Sequence, residues 1–174
     1  MTKNNSSKVV STNKAAEIVA KYKKQGNKVG LITGCFDILH IGHISTFRYA
    51  KKHVDILVVG LDSDKTISNS KGPNRPINKL KQRCKMLSEL SIVDLVFPID
   101  FVIKYRLHSS KIDTLYNKLY GKIDPDYLIT HVTSDKFWEC KKKQASKMGI
   151  KFLGEQGETL TTSTKIIREI TNNL

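Results

Sequence analysis

Acidic residues are scarce in this 174-residue chain: 16 Asp and Glu stand against 30 Lys and Arg, a net charge of +14. Cysteine is scarcer still. The 3 cysteines, Cys35, Cys84 and Cys140, are an odd number, widely spaced and without a CxxC pair, so they read as reduced thiols rather than a disulfide framework. Long hydrophobic runs are missing. The longest apolar stretch, Ile56 to Leu61, is far too short to span a bilayer, and no membrane association is expected. The N-terminal stretch MTKNNSSKVVSTNK lacks an apolar signal core, so a cytoplasmic location is the expectation. Aromatic residues make up only 7% and form no stacking platform of the kind single-strand binders use, so nucleic acid is not an expected partner.

What is present is the composition of a globular protein, 39% hydrophobic and 26% charged, with a length that suits one sizeable core. The positive excess favours polyanions: nucleic acid, anionic lipid or phosphorylated small molecules. Lysines are scattered, however, and the densest run, Lys141-Lys142-Lys143, falls in an expected helix, where it reads as solvated surface.

The order of elements is more informative. Residues 11–25 carry apolar positions at helical spacing (Ala15, Ala16, Ile18, Val19, Tyr22) and stop at Gly26. Short β-branched or apolar runs predict strands at 28–33, 54–61, 94–98, 126–130 and 150–153. Helices are expected over 43–52, from an Asn78 cap to Leu90, over 135–148 and from Thr162 onward, with 101–121 largely helical. Residues 62–74 are polar, end in Gly-Pro and read as a loop. Alternating strands and helices specify an α/β fold: a doubly wound, parallel, five-stranded sheet with helices on both faces.

One stretch stands out. Residues 34–43 read GCFDILHIGH and join the first strand to its helix, where ligands bind in such sheets. Gly34 suits close backbone approach, and Gly42 leaves no side chain between His40 and His43. A helix N-terminus there is an anion site, and two imidazoles can donate to phosphate oxygens as charge develops on them. Neither GxxxxGK[ST] nor a GxGxxG after the first strand competes. Zinc would need further ligands, and His53, His108 and His131 fall in unrelated elements. Lys85-Met86-Leu87-Ser88 is faintly like the KMSKS loop of aminoacyl-tRNA synthetases, but Met86 and Leu87 are better explained as the core side of a helix.

GCFDILHIGH resembles the GxFDxxHxGH signature of the cytidylyltransferase-like nucleotidyltransferases, matching at Gly34, Phe36, Asp37, His40, Gly42 and His43. Thr161 to Ile167, TTSTKII, is similar to that family's C-terminal STTxII. KGPNRPINKLKQR, Lys71 to Arg83, is similar to a segment of bacterial heptose-phosphate adenylyltransferase domains. The resemblance implies a Rossmann-like fold over residues 27–174, with 1–26 set apart as a tail and helix. It implies transfer of a nucleoside monophosphate, AMP favoured, from a nucleoside triphosphate to a sugar or polyol phosphate, with release of pyrophosphate. The alternatives are a cytidylyltransferase using CTP and a glycerol-phosphate-like acceptor, or a non-catalytic nucleotide-binding protein.

By the same resemblance, His40 and His43 are the catalytic pair. Gly34, Cys35, Phe36, Gly42, Thr162, Ser163 and Thr164 would cradle the triphosphate. Asp37, Asp64, Lys71, Arg75 and Arg83 would serve the loop, the acceptor or its phosphate. Mg²⁺ would arrive with the nucleotide, with no direct protein ligand, and the family implies a homodimer. The chain departs from the pattern at Leu160, where the family has Gly, and at Gly157, where the cytidylyl branch has Arg. His131 to Asp135 keeps only the Asp of a GGD-like stretch, and 101–121 is longer than the compact pattern, which suits acceptor-specific or dimer contacts.

Overall fold

The computed structural model describes residues 8–104, 110–157 and 161–173. Leu160 and His108 lie outside the described residues, as do 105–109 of the long segment. Five parallel strands, β1 (Val29–Gly34), β2 (Ile56–Leu61), β3 (Leu95–Pro98), β4 (Tyr127–His131) and β5 (Lys151–Glu155), form one sheet in the order β3-β2-β1-β4-β5. Seven helices connect and flank them: α1 (Thr12–Lys24), α2 (Ile41–Lys51), α3 (Asp64–Lys71), α4 (Leu80–Glu89), α5 (Ser110–Ile123), α6 (Trp138–Lys147) and α7 (Ser163–Asn172). The expected five-stranded, Rossmann-like α/β architecture is what the chain adopts.

The central strands are apolar throughout because both faces are covered. On one face Leu31, Val58 and Leu128 pack with Ala15 and Val19 of α1 and Tyr116, Leu119, Tyr120 and Ile123 of α5. On the other, Ile32, Val59 and Ile129 meet Phe47 and Ala50 of α2 and Leu87 of α4. The helix within residues 1–26 is therefore part of the sheet's own core, Ala15 and Val19 being fully buried. Burying a valine like Val19 stabilises by about 1.5–3 kcal/mol. Residues just before α1 cover the β3 edge: Val10 N–H donates to Val96 O, and Val96 N–H to Lys8 O, both at 2.9 Å.

Two sequence expectations need correction. The polar stretch 62–74 contains a full helix, α3, capped by the Ser63 side chain on Thr66 N–H and anchored by buried Thr66 and Ile67. Asn78 does not cap α4, which has Lys79 at that position. Asn78 turns instead to the first loop, as described below.

Strand order reverses at β1: the chain runs outward to β2 and β3, then returns past β1 to β4 and β5. The crevice between the carboxyl ends of β1 and β4 is the topological switch point, the place where open α/β sheets bind ligands.

Candidate active site

A cavity of about 700 Å³ opens at this switch point. Its walls include Thr33 and Gly34 of β1, the loop to α2, Thr130 and His131 of β4, and Thr161 to Thr164 at the start of α7. The loop is set by Phe36, whose φ of 47° lies in the left-handed region that a non-glycine residue enters at a cost. That turn puts the Phe36 ring into the core, 5.6 Å from the Phe47 ring and 5.1 Å from the imidazole of His43. A side chain at Gly34 would meet the Phe36 ring at 3.3 Å, so this glycine makes room for the buried ring.

α2 begins at Ile41, earlier than the sequence suggests, which places Gly42 and His43 in its first turn and His40 at its N-cap. The two imidazoles stack with centroids 3.8 Å apart and planes 28° from parallel. His43 Nδ1 accepts the backbone N–H of His40 at 3.4 Å, so in the neutral ring the proton sits on Nε2. A Cβ at Gly42 would stand 3.1 Å from His40 Nδ1 and 3.4 Å from Thr161 O, so any larger residue would press on the His40 ring. Burial, then His40, then Lys71 push the His43 pKa down to about 3; burial and Lys71 also lower that of His40. Both rings are therefore neutral donors at pH 7, poised to gain from phosphate charge.

Asp37 locks the loop from below. Its carboxylate accepts Arg75 Nε at 2.7 Å, Ile77 N–H at 3.1 Å and Asn78 N–H at 2.9 Å, while Asn78 Nδ2 donates to Asp37 O at 2.6 Å. Burial alone would raise its pKa, but the bonds from Asn78, Ile77 and Arg75 outweigh it and hold the carboxyl below its ordinary value. Arg83, expected as a phosphate grip, is fully buried and differently employed. It donates to Cys35 O, Asn78 O, Asp62 O and Asp64 Oδ1 at 2.7–3.0 Å, tying the ends of β1 and β2 to α4. With Arg75 committed to Asp37, Lys71 is the exposed cation of that trio on the cavity wall. Cys35 has its thiol pushed up to about 12 by burial and by Asp62, so it stays protonated and is no nucleophile.

Thr162 caps α7, accepting Lys165 N–H at 3.1 Å; Ser163 Oγ donates to Ile38 O at 3.1 Å and so ties α7 to the histidine loop. Thr164 stands exposed on the same wall. Among the described residues no group of three or more His, Cys, Asp or Glu is placed to hold a metal. No described helix is long and apolar enough to cross a membrane, and Cys35, Cys84 and Cys140 form no disulfide.

The sequence reading missed residues on the inner wall. Asp113, Tyr116 and Tyr120 line the cavity from α5, with Lys141 and Gln144 from α6 and Asp62 from the end of β2. The i, i+3, i+7 spacing of the α5 trio was a legible helical face. Lys141 was hidden by its neighbours in a lysine run, and it belongs to the interior rather than to the solvated surface: its side chain is 11% exposed and pairs with Asp135 at 2.7 Å.

A parallel sheet with a two-histidine loop and a cavity at its switch point defines a Rossmann-like protein. A family model described as cytidylyltransferase-like matches residues 31–170, and the chain belongs to that family. The bifunctional protein HldE of Sulfurimonas denitrificans is 44% identical over 90 residues, which cover 52% of this chain and 19% of that protein. The HldE of Paramagnetospirillum magneticum is 47% identical over 89 residues, 51% of this chain and 18% of the relative. The match thus spans under a fifth of each of these relatives' length. Among solved structures, a lipopolysaccharide core biosynthesis protein from Thermoplasma volcanium superposes with a TM-score of 0.58 at 29% identity, covering 76% of this chain and 99% of that one. A pantoate-beta-alanine ligase from Francisella tularensis shares the fold, with a TM-score of 0.61 at 23% identity, covering 95% of this chain and 76% of that one.

Proposed function

We propose that this protein is a nucleotidyltransferase that moves AMP from ATP to a sugar or polyol phosphate and releases pyrophosphate. The observation that carries the reading is the stacked His40–His43 pair at the N-terminus of α2, facing a cavity that the hydroxyl-bearing start of α7 closes from the other side. An acceptor phosphate oxygen attacks the α-phosphorus in line; the bond to the bridging oxygen breaks and pyrophosphate leaves with that electron pair. The nucleophile is already an anion, so no general base is required, and catalysis is positioning plus charge stabilisation. His40 and His43 donate N–H groups to the α- and β-phosphate oxygens that gain charge. Backbone N–H groups at the start of α2 and the hydroxyls of Thr162, Ser163 and Thr164 hold the triphosphate. Lys71 meets the acceptor phosphate from the end of α3.

The carboxylate of Asp37 is taken up by Arg75 and two backbone N–H groups, so the hard oxygen ligand of the histidine loop is not offered to a cation. Mg²⁺ would therefore arrive with the triphosphate rather than on a protein carboxylate, and would supply neutralisation of leaving-group charge. ATP is favoured over CTP by the similarity of residues 71–83 to heptose-phosphate adenylyltransferase domains and by Gly157 at the position where the cytidylyl branch has Arg. The working form we propose is a cytoplasmic homodimer, and light scattering of the purified protein tests its size.

The deciding experiment supplies Mg²⁺ with each of ATP, CTP, GTP and UTP against a panel of sugar and polyol phosphates and measures pyrophosphate. Acceptor-dependent release with ATP, lost in His43→Ala, is the expected result. Release with CTP alone would move the reading to the cytidylyl branch. No release with any pair, together with no triphosphate binding by calorimetry, would overturn it.

A further inference from the structure

The inner half of the cavity is lined by polar groups that the phosphate chemistry does not use. Tyr120 on α5 is fully buried, and its Oη lies beside Thr33 Oγ1, its hydrogen-bonding neighbour, and within the field of Lys141. Neither hydroxyl has a further partner among the described residues, so the pair keeps hydrogen-bonding capacity. Beside Tyr120, Lys141 Nζ donates to Asp135 Oδ2 at 2.7 Å and to Thr33 O at 3.1 Å, which leaves the third of its three donors. Tyr116 Oη donates to Asp62 Oδ1 at 3.3 Å and Gln144 Nε2 to Asp113 Oδ1 at 3.1 Å, so two carboxylates hold this wall in place. Asp62, Gln144 and Tyr120 are each more than nine-tenths buried.

The charges say what can enter. Asp62 and Asp113 line the cavity beside Lys141, which is already balanced by Asp135, while the other lining lysines, Lys71 and Lys136, are exposed. Burial works against the Lys141 charge, but Asp135 and then Tyr120 hold its pKa above the ordinary value, so it remains an ammonium donor. Burial pushes Tyr120 up to about 12, which keeps it a neutral O–H. A second phosphate or a carboxylate placed beside these buried groups would meet two acids and a lysine already paired with Asp135. An uncharged body rich in hydroxyls would find donors in Tyr120 and Lys141 and acceptors in Asp62 and Asp113.

Resting on the transferase reading, we infer that the inner half of the cavity is the acceptor pocket, that it takes the neutral polyhydroxylated end of the acceptor with its phosphate toward His40, His43 and Lys71, and that Tyr120 and Lys141 are its specificity-determining residues. The pocket selects acceptors with one phosphate and no second anionic group. This assigns a function to α5, whose segment is longer than the compact family pattern.

Tyr120→Phe tests it, because the ring keeps its core position and only the hydroxyl beside Thr33 is removed. The probes are glycerol 3-phosphate and aldose 1-phosphates, each set against its acidic counterpart, 3-phosphoglycerate and the uronic acid 1-phosphates. The expected result is an acceptor KM raised about 10- to 100-fold, as for loss of a hydrogen bond to a substrate hydroxyl, with the triphosphate KM and the Tm unchanged. Neutral acceptors should be used in preference to acidic ones by a similar factor. Lys141→Met should raise the same KM; if it fails to fold, Tyr120→Phe still decides. An unchanged acceptor KM in an active Tyr120→Phe enzyme, a raised triphosphate KM instead, or a preference for acidic acceptors would overturn the pocket and leave the transferase standing. No transfer to any acceptor would remove both.

Discussion

The backbone N–H of His40 points at Nδ1 of His43, 3.4 Å away, so the first turn of α2 uses one imidazole to satisfy the residue that carries the other. The capping contact fixes the His43 tautomer and the 3.8 Å ring stack together. A helix-starting device is therefore also the device that leaves the His43 proton on Nε2, and the cap and the ring stack cannot be separated by mutation at one ring alone.

His40→Ala and His43→Ala are each expected to lower kcat by about 10²- to 10³-fold, the scale for losing one preorganised donor to a developing oxyanion. The triphosphate KM should move much less, since backbone and hydroxyl donors remain. Steady-state kinetics check this. Equal kcat with a raised KM would make the histidines ground-state binders.

His43 should be neutral across the working range. Its pKa is lowered to about 3 from 6.5, so between those values the unfolded chain binds a proton that the folded one does not. Stability then falls as pH drops from about 6.5 toward 3, by the sign of that difference. Phosphate charge beside the ring acts in the opposite sense and raises the pKa. Nitrogen-15 spectra of the imidazoles should show a neutral His43 from pH 7 to pH 5 without nucleotide, and proton uptake when ATP is added at pH 5. A ring that titrates near 6.5 in the free protein would contradict the burial argument.

How much of this was legible follows from what each residue type normally does. β1, β2 and β4 announced themselves because strands covered on both faces must be apolar throughout. The histidine loop was legible because glycine between two histidines at a strand-to-helix junction has few structural uses. α3 was not, since its sequence DKTISNSK is polar and only Thr66 and Ile67 reach the interior. Lys141 and Arg83 were misread for one reason: lysine and arginine are almost always solvated, and only their partners (Asp135, or the carbonyls of Cys35, Asp62 and Asn78) make burial affordable. Cys35 and Asp62 lie 48 and 21 residues from Arg83, and the nearer partners, Asp135 and Asn78, stand at 6 and 5 residues, a spacing with no helical or strand periodicity to mark it.

Gly42→Ala should separate fold from catalysis. The added Cβ stands 3.1 Å from His40 Nδ1 and 3.4 Å from Thr161 O, so either the His40 ring or the entry to α7 must shift. Alanine is also the better helix former, which offsets part of the strain. A fall in kcat well short of the about 10²-fold that a 1 Å misplacement brings is expected, because the ring need move only a little, with a Tm close to the parent's. Full activity would show that the ring stack has slack.

Asp37→Ala leaves Arg75 and the N–H groups of Ile77 and Asn78 without their acceptor, in a place where the Asp37 side chain is fully buried. Removing one partner of such a pair costs about 3–5 kcal/mol, and a urea midpoint should show it. The Asp37 pKa is lowered on folding, so the stabilisation is complete above the unfolded carboxylate value of about 3.9 and is lost as pH falls through the folded one. The stability gap between the parent and Asp37→Ala should therefore hold above about pH 4 and narrow only in stronger acid. A gap that stays constant into strong acid would mean that Asp37 titrates normally.

Arg83 distinguishes a scaffold from a grip. A residue that grips phosphate at the surface, once changed to Lys, keeps the fold and loses ligand affinity. Arg83 instead spends its guanidinium on three carbonyls and on Asp64, in a site with no exposure, and a lysine ammonium with three donors cannot reproduce that planar fork. Arg83→Lys is therefore expected to cost about 3 kcal/mol or more, the scale for breaking a buried charge network. Because Cys35 O belongs to the histidine loop, kcat should fall with the fold's integrity rather than KM rise alone. An Arg83→Lys protein with the parent's Tm and a raised substrate KM would return Arg83 to the phosphate.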